Sequence, residues 1–128
     1  MARLLALDIG TKRTGVAYLD ESVGVPLPLP TITHGNEQEL VDAVRALAAQ
    51  RGADRLIIGL PRLPGGEEGA QASLVRKTAD QLQQATALPM VFVDERYTTP
   101  REPSDRDPNA EAAWNILSSM PQSSAKDV

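Results

Sequence analysis

Three short apolar runs, at residues 4–8 (Leu-Leu-Ala-Leu-Asp), 55–59 (Arg-Leu-Ile-Ile-Gly) and 89–93 (Pro-Met-Val-Phe-Val), constrain the fold more than any other feature of this chain. Apolar runs of this length bounded by turn residues read as buried strands. Parallel neighbours need a crossover of a dozen or more residues, and the segments between the second and third runs supply one. Asn36 opens a helix: it stands three residues before Glu39, the capping-box spacing, and Leu40, Val44, Leu47 and Ala48 form an apolar face that Gly52 stops. Residues 70–86 give a second helix, with Leu74, Val75, Thr78 and Leu82 on one side. Ahead of them, residues 10–14 form a polar turn and residues 15–19 a second strand. Residues 25–33 are apolar but carry Pro26, Pro28 and Pro30, so a strand there must lie at a sheet edge.

Residues 98–108 are polar and irregular, residues 109–119 read as a last helix, and residues 121–128 as a disordered tail. A hairpin followed by right-handed strand–helix–strand crossovers predicts an α/β fold. Its mixed five-stranded sheet would carry helices on both faces, within a single domain over residues 1–120. The 128 residues suit one domain rather than two.

The chain has no cysteine, which excludes a disulfide framework, a thiolate zinc site and a cysteine nucleophile. The first apolar stretch ends at Asp8, too soon for a signal peptide or a membrane span, so the expectation is a cytoplasmic protein with no membrane partner. A net charge of −4 argues mildly against nucleic acid. The distribution argues the other way, because Lys12, Arg13, Arg62, Arg76, Lys77, Arg96 and Arg101 lie close to the chemistry-bearing segments.

Asp8 closes one buried strand and Glu95 follows another. In open α/β sheets, sites form beyond the carboxyl ends of strands, so both acids are expected at one sheet edge, on adjacent strands. Alternation lets only one of Asp94 and Glu95 face that edge. Gly10 permits a tight turn beside Asp8, and Lys12 and Arg13 on that turn suit a phosphate. The loop after Gly59, with Pro64, Gly65 and Gly66, is either a substrate-facing loop or a simple connection. His34, the sole histidine, precedes the capped helix as a loop residue.

The stretch Asp8-Ile9-Gly10-Thr11-Lys12-Arg13-Thr14-Gly15-Val16-Ala17 resembles the opening motif of the YqgF/RuvX family. The Gly59-Leu60-Pro61 step, residues 94–99 and the Ala112-Ala113-x-x-Ile116-Leu117 helix follow in the same order, so the resemblance runs from Leu4 to Leu117. It implies a ribonuclease H-like fold with a divalent-metal nuclease site of three acids. Carried over residue by residue, the catalytic and metal-ligating positions are Asp8, Glu95 and Asn109.

The third departs from the family pattern. Asn offers a carbonyl oxygen but no charge, which weakens Mg²⁺ binding, and Asp105, Asp107 or Glu111 are the alternatives. An oxygen-only donor set favours Mg²⁺ or Mn²⁺. Lys12, Arg13, Arg62 and Arg96 would hold phosphates. The resemblance implies a metal-dependent endonuclease on structured nucleic acid, either precursor 16S rRNA or branched DNA such as Holliday junctions. A two-fold junction would favour a homodimer. Two other classes stand beside this one: a non-catalytic nucleic-acid-binding or ribosome-assembly module, and a fragment of an actin- or sugar-kinase-like ATPase, whose phosphate loops also read Asp-x-Gly-Thr.

Overall fold

The computed structural model describes residues 2–61, 63 and 65–94. Arg62, Glu95, Arg96, Asn109 with its three alternatives, the expected last helix and the tail all lie outside the described residues. Five strands and two helices alternate as β1 (Arg3–Ile9), β2 (Arg13–Asp20), β3 (Leu27–Thr33), α1 (Glu37–Arg51), β4 (Arg55–Leu60), α2 (Ala70–Thr86) and β5 (Met90–Asp94). They form one sheet in the order β3-β2-β1-β4-β5. The β1–β2 and β2–β3 pairs are antiparallel, and β4 runs parallel to both β1 and β5.

β1 is central and paired on both sides, which explains its unbroken apolar sequence: Leu4, Leu5, Ala6 and Leu7 are all buried. Its odd-numbered side chains, Leu5, Leu7 and Ile9, join Leu56, Ile58 and Leu60 of β4 in the main core. Leu40, Val41, Val44 and Ala48 of α1 and Ala72, Val75 and Leu82 of α2 close that core. Full burial of one such Leu, Ile or Val side chain stabilises by about 1.5–3 kcal/mol. The even-numbered side chains of β1 belong to the opposite face, where Leu4, Ala6, Ala17 and Ile57 form a second, smaller buried cluster with Val93 at its margin.

Both described helices pack on the same face of the sheet, and the last helix expected from sequence lies outside the described residues. One expectation changes here. β5 is an edge strand rather than a buried one: Val91 and Phe92 are 36% and 38% exposed. The other edge is β3, as its prolines require. Pro28 pairs with Ala17 in the ladder, and Pro30 sits where the register shifts between Leu29 and Ile32, opposite Thr14 and Val16. A bulge tolerates a residue without an N–H.

The helix signals act where the sequence puts them. The Asn36 side chain accepts from the Glu39 N–H at 2.8 Å, while a Glu39 carboxylate oxygen accepts from the Gly35 N–H at 2.7 Å. The reciprocal half of the box thus reaches one residue further back than its usual form. Gly52 ends α1 at φ 65°, the left-handed conformation that glycine adopts at least cost.

Candidate active site at the end of the central strand

Asp8 is the penultimate residue of β1 and shares its face with Leu4 and Ala6, away from both helices. Its side chain is half-buried at the sheet's carboxyl end. Across the antiparallel ladder its partner is Gly15. On the other side, the parallel register pairs Leu7 with Ile58, so the next residue, Gly59, lies alongside Asp8. Asp8 therefore stands between two residues without side chains, a slot in the sheet surface that leaves the carboxylate open to a ligand on either flank.

The turn beyond it is tight. A Cβ on Gly10 would run into the backbone carbonyl of Arg13, so glycine is required there by close approach. Thr11, Lys12 and Arg13 are exposed, and the Lys12 carbonyl accepts from the His34 N–H at 2.9 Å, which ties the turn to the end of β3. Both cations expected to meet phosphate thus project from a turn held at two places, beside Asp8.

At the end of β5 the structure describes the first of the two neighbouring acids. Asp94 lies opposite Leu60, a residue of the main core, and shares the face of Phe92. Arg76 of α2 sits over the Phe92 ring at 4.9 Å, so this is the helix-covered face, opposite to that of Asp8. Val93 belongs to the Asp8 face. The expectation of adjacent strands for Asp8 and Glu95 is corrected by the sheet order. β4 intervenes between β1 and β5, so positions on those strands are two strand spacings, about 10 Å, apart at the backbone. The row between them contains Gly59 on the Asp8 face, which keeps that interval free of a side chain. Among the described residues no group of three His, Cys, Asp or Glu side chains is placed to hold a metal ion.

Arg76 does not serve as a free cation. Its guanidinium is bound in two hydrogen bonds to Glu68, at 2.6 and 2.7 Å, and the first of these contacts raises its pKa further.

On the helix side of the same strand end the structure shows a feature the sequence did not announce. His34, expected as a loop residue, is only 5% exposed. Its Nε2 is 2.9 Å from the Thr14 hydroxyl, and its Nδ1 is buried with no protein partner among the described residues. Burial lowers its pKa from the ordinary 6.5, and the Glu39 carboxylate opposes that shift. The ring lines a cavity of about 130 Å³ together with Glu37, Leu40, Leu74 and Thr78 and the residues of the Asp8 turn. Thr78 donates to Glu37 at 2.9 Å across the two helices. The sequence signal was faint: a single histidine two residues before a helix cap.

A central parallel core with an antiparallel hairpin on one side and an acid at the end of the first strand is the ribonuclease H-like arrangement. Two solved structures of Thermus thermophilus RuvC share this fold. One, in complex with a Holliday junction substrate, superposes with a TM-score of 0.64 at 10% identity, covering 93% of this chain and 92% of RuvC. The other gives 0.66 at 9% identity, covering 98% and 96%.

Within that class the chain belongs to the RuvX family, described as Holliday junction resolvase, which it matches over residues 2–107. Curated relatives bear the name "Putative pre-16S rRNA nuclease". The protein of Chloroflexus aurantiacus is 41% identical over 97 residues, 75% of this chain and 63% of the relative. That of Chromobacterium violaceum is 39% identical over 95 residues, 74% and 69%. The matched part thus spans a little under two thirds of the first of these relatives. The family match takes in Asp8, the Lys12–Arg13 turn and Glu95, and it ends before Asn109 and the 112–117 motif.

Proposed function

We propose that this chain is a divalent-metal-dependent endonuclease acting on structured nucleic acid, either precursor 16S rRNA or branched DNA. The single observation that carries the reading is the placement of Asp8, a half-buried carboxylate at the end of the central strand between Gly15 and Gly59, beside the exposed Lys12 and Arg13. The donor chemistry suits Mg²⁺ or Mn²⁺: carboxylate and amide oxygens from Asp8, Glu95 and Asn109 would hold the ion. The glycines on either side of Asp8 leave it room.

A bound divalent ion in such a site supplies a lowered pKa for water and charge stabilisation at the phosphate. The chain's own part is to hold the carboxylate fixed on the central strand of the sheet, which is paired on both sides. Lys12 and Arg13, with Arg62 and Arg96, position the flanking phosphates. Glu95 is preferred over Asp94 because Asp94 shares the helix-covered face with Phe92. The compartment in this reading is the cytoplasm. A four-way junction substrate would call for a homodimer to match its two-fold symmetry.

Asn109 favours a second reading, a nucleic-acid-binding or ribosome-assembly module that has lost cleavage, since it removes one charge from the expected ligand set. One experiment separates the two. Precursor 16S rRNA and four-way DNA are incubated with the protein and Mn²⁺ or Mg²⁺. Cleavage that stops in chelator and in Asp8→Asn, with unchanged thermal melting, supports the nuclease. Binding without cleavage under every metal condition supports the module, and undiminished cleavage by Asp8→Asn refutes the assignment of the site.

A further inference from the structure

Arg76 joins the two ends of the crossover that runs from β4 through α2 to β5. Its Nε and Nη2 donate to the two carboxylate oxygens of Glu68, the loop residue two places before α2. The flat face of the same guanidinium lies over the Phe92 ring of β5. A guanidinium can use its edge and its face separately in this way, which an ammonium cannot.

Both joined segments lead to the sheet edge where Asp8 lies. The loop starts just beyond Gly59, the residue alongside Asp8, and β5 ends at Asp94, after which the chain continues to Glu95. Neither segment is held firmly by the sheet alone. β5 has five residues and is paired on one side only, with β4. The loop is closed on itself: the Leu63 N–H donates to the Glu67 carbonyl at 2.8 Å, and the Gly66 N–H donates to the Leu63 carbonyl at 2.8 Å. A turn closed in this way moves as a unit, and Glu68 follows it directly. The Arg76–Glu68 pair is partly open to solvent, so its contribution to stability is small. What a bidentate fork supplies is fixed geometry.

We propose that Arg76 is a positioning residue of the metal site: it fixes the loop after β4 against the end of β5, and thereby sets the span between Asp8 and Glu95. It acts through Glu68 and Phe92, from the helix-covered face, and touches neither metal nor substrate. β4 stands between β1 and β5, so no ladder bond joins the two acid-bearing strands directly. A small hard cation demands near-ideal ligand geometry and is sensitive to that span. The proposal rests on the metal-site reading of Asp8 and Glu95.

Mn²⁺ binding to the full chain is measured by calorimetry without substrate, together with amide exchange along β5. Arg76→Lys keeps the charge and loses the fork, Glu68→Gln removes a negative charge, and Phe92→Leu removes the ring and no charge. Each should weaken Mn²⁺ binding roughly tenfold, the size expected when a support behind a metal ligand is lost. Each should also quicken exchange in β5. Phe92→Tyr keeps the ring and should bind as the wild type does. So should Arg45→Ala, which removes an exposed ion pair to Asp42 on α1. Should one variant not fold, the other two carry the test.

A purely electrostatic role predicts opposite signs: Arg76→Ala would tighten Mn²⁺ binding and Glu68→Gln would loosen it. Opposite shifts of that kind overturn the proposal. Quickened exchange in β5 with Mn²⁺ binding intact also overturns it, as the mark of a clamp that is structural only. Weakened binding with unmoved exchange overturns the route through β5. A wild-type chain that binds no Mn²⁺ removes the metal reading and this inference with it. Wild-type binding that survives all three substitutions removes this inference alone.

Discussion

Replacing Gly10 by Ala tests whether the turn beside Asp8 is fixed by close approach of its backbone. The φ of Gly10 is not positive, so alanine meets no conformational barrier there, and the whole effect is steric. The new Cβ would collide with the Arg13 carbonyl oxygen, and the turn must open to admit it. The turn is closed by the Ile9–Thr14 pair of the β1–β2 ladder, so the displacement passes to Asp8 one residue away.

Overpacking of this kind costs about 1–3 kcal/mol. With an unfolding entropy of about 2.1 cal/mol/K per residue, a chain of 128 residues loses about 4 °C of Tm per kcal/mol. The expected drop is therefore about 4–11 °C. Gly24→Ala is the control: Gly24 has φ 85° and open space around its Cβ position, so alanine costs about 1–2 kcal/mol of backbone strain far from Asp8. Both variants should melt earlier. Only Gly10→Ala should lose cleavage, by roughly 100-fold for a displacement near 1 Å, when assayed well below either Tm. Amide exchange at the Ile9–Thr14 end of the ladder should quicken in Gly10→Ala alone. A Gly10→Ala protein with unchanged melting and unchanged exchange would refute the steric argument.

His34 makes stability pH-dependent. Its folded-state pKa lies below 6.5, so the unfolded chain takes a proton first as pH falls. Stability is fully present above about pH 6.5 and declines below it, by at most about 1.4 kcal/mol per pH unit. The charged groups on that side are Glu37 and Glu39 of α1, while α2 presents the uncharged Leu74 and Thr78. Urea titrations at pH 7.5 and 5.5 should show the loss, and His34→Gln should flatten it. Asn36→Ala removes the acceptor for the Glu39 N–H and should lower stability by about 1 kcal/mol, read as about 4 °C in a thermal melt. Asn109→Asp should tighten Mn²⁺ binding and raise cleavage if position 109 is the third ligand, and an unchanged Mn²⁺ titration would move that role to Asp107 or Glu111.

The two helices were legible because their signals are local. Residues 70–86 were read from an uninterrupted 3.6-residue period and are the bounds of α2, and Asn36, Glu39 and Gly52 each act as caps or stops on α1. The strands were legible as elements, with ends displaced by a residue or two. Their order was not, because nothing near Asp8 or Val93 records that β4 lies between them. β5 looked buried for the same reason: its apolar run is suited to a core, and only the topology leaves it at an edge. The face of Asp94 was legible, since it needs only the two-residue period of a strand, and it is the helix-covered one. His34 was missed because its burial depends on Thr14, twenty residues earlier, and on helix contacts that no local pattern encodes.

The prolines of β3 have a consequence for how copies of this chain can meet. A strand docks onto a sheet by trading hydrogen bonds with the outermost backbone, and Pro28 and Pro30 have no N–H to trade. β3 keeps its ladder to β2 by pointing those vacancies outward or into the bulge, so its free side offers carbonyls with too few donors to template another chain. Among the described strands, that leaves β5 as the only margin able to lengthen the sheet. Strand-by-strand polymerisation needs two compatible margins, one to receive and one to be received. Among the described strands, with β3 blunted, a head-to-tail fibre lacks a second margin, and strand pairing between copies reduces to β5 against β5, which closes after two.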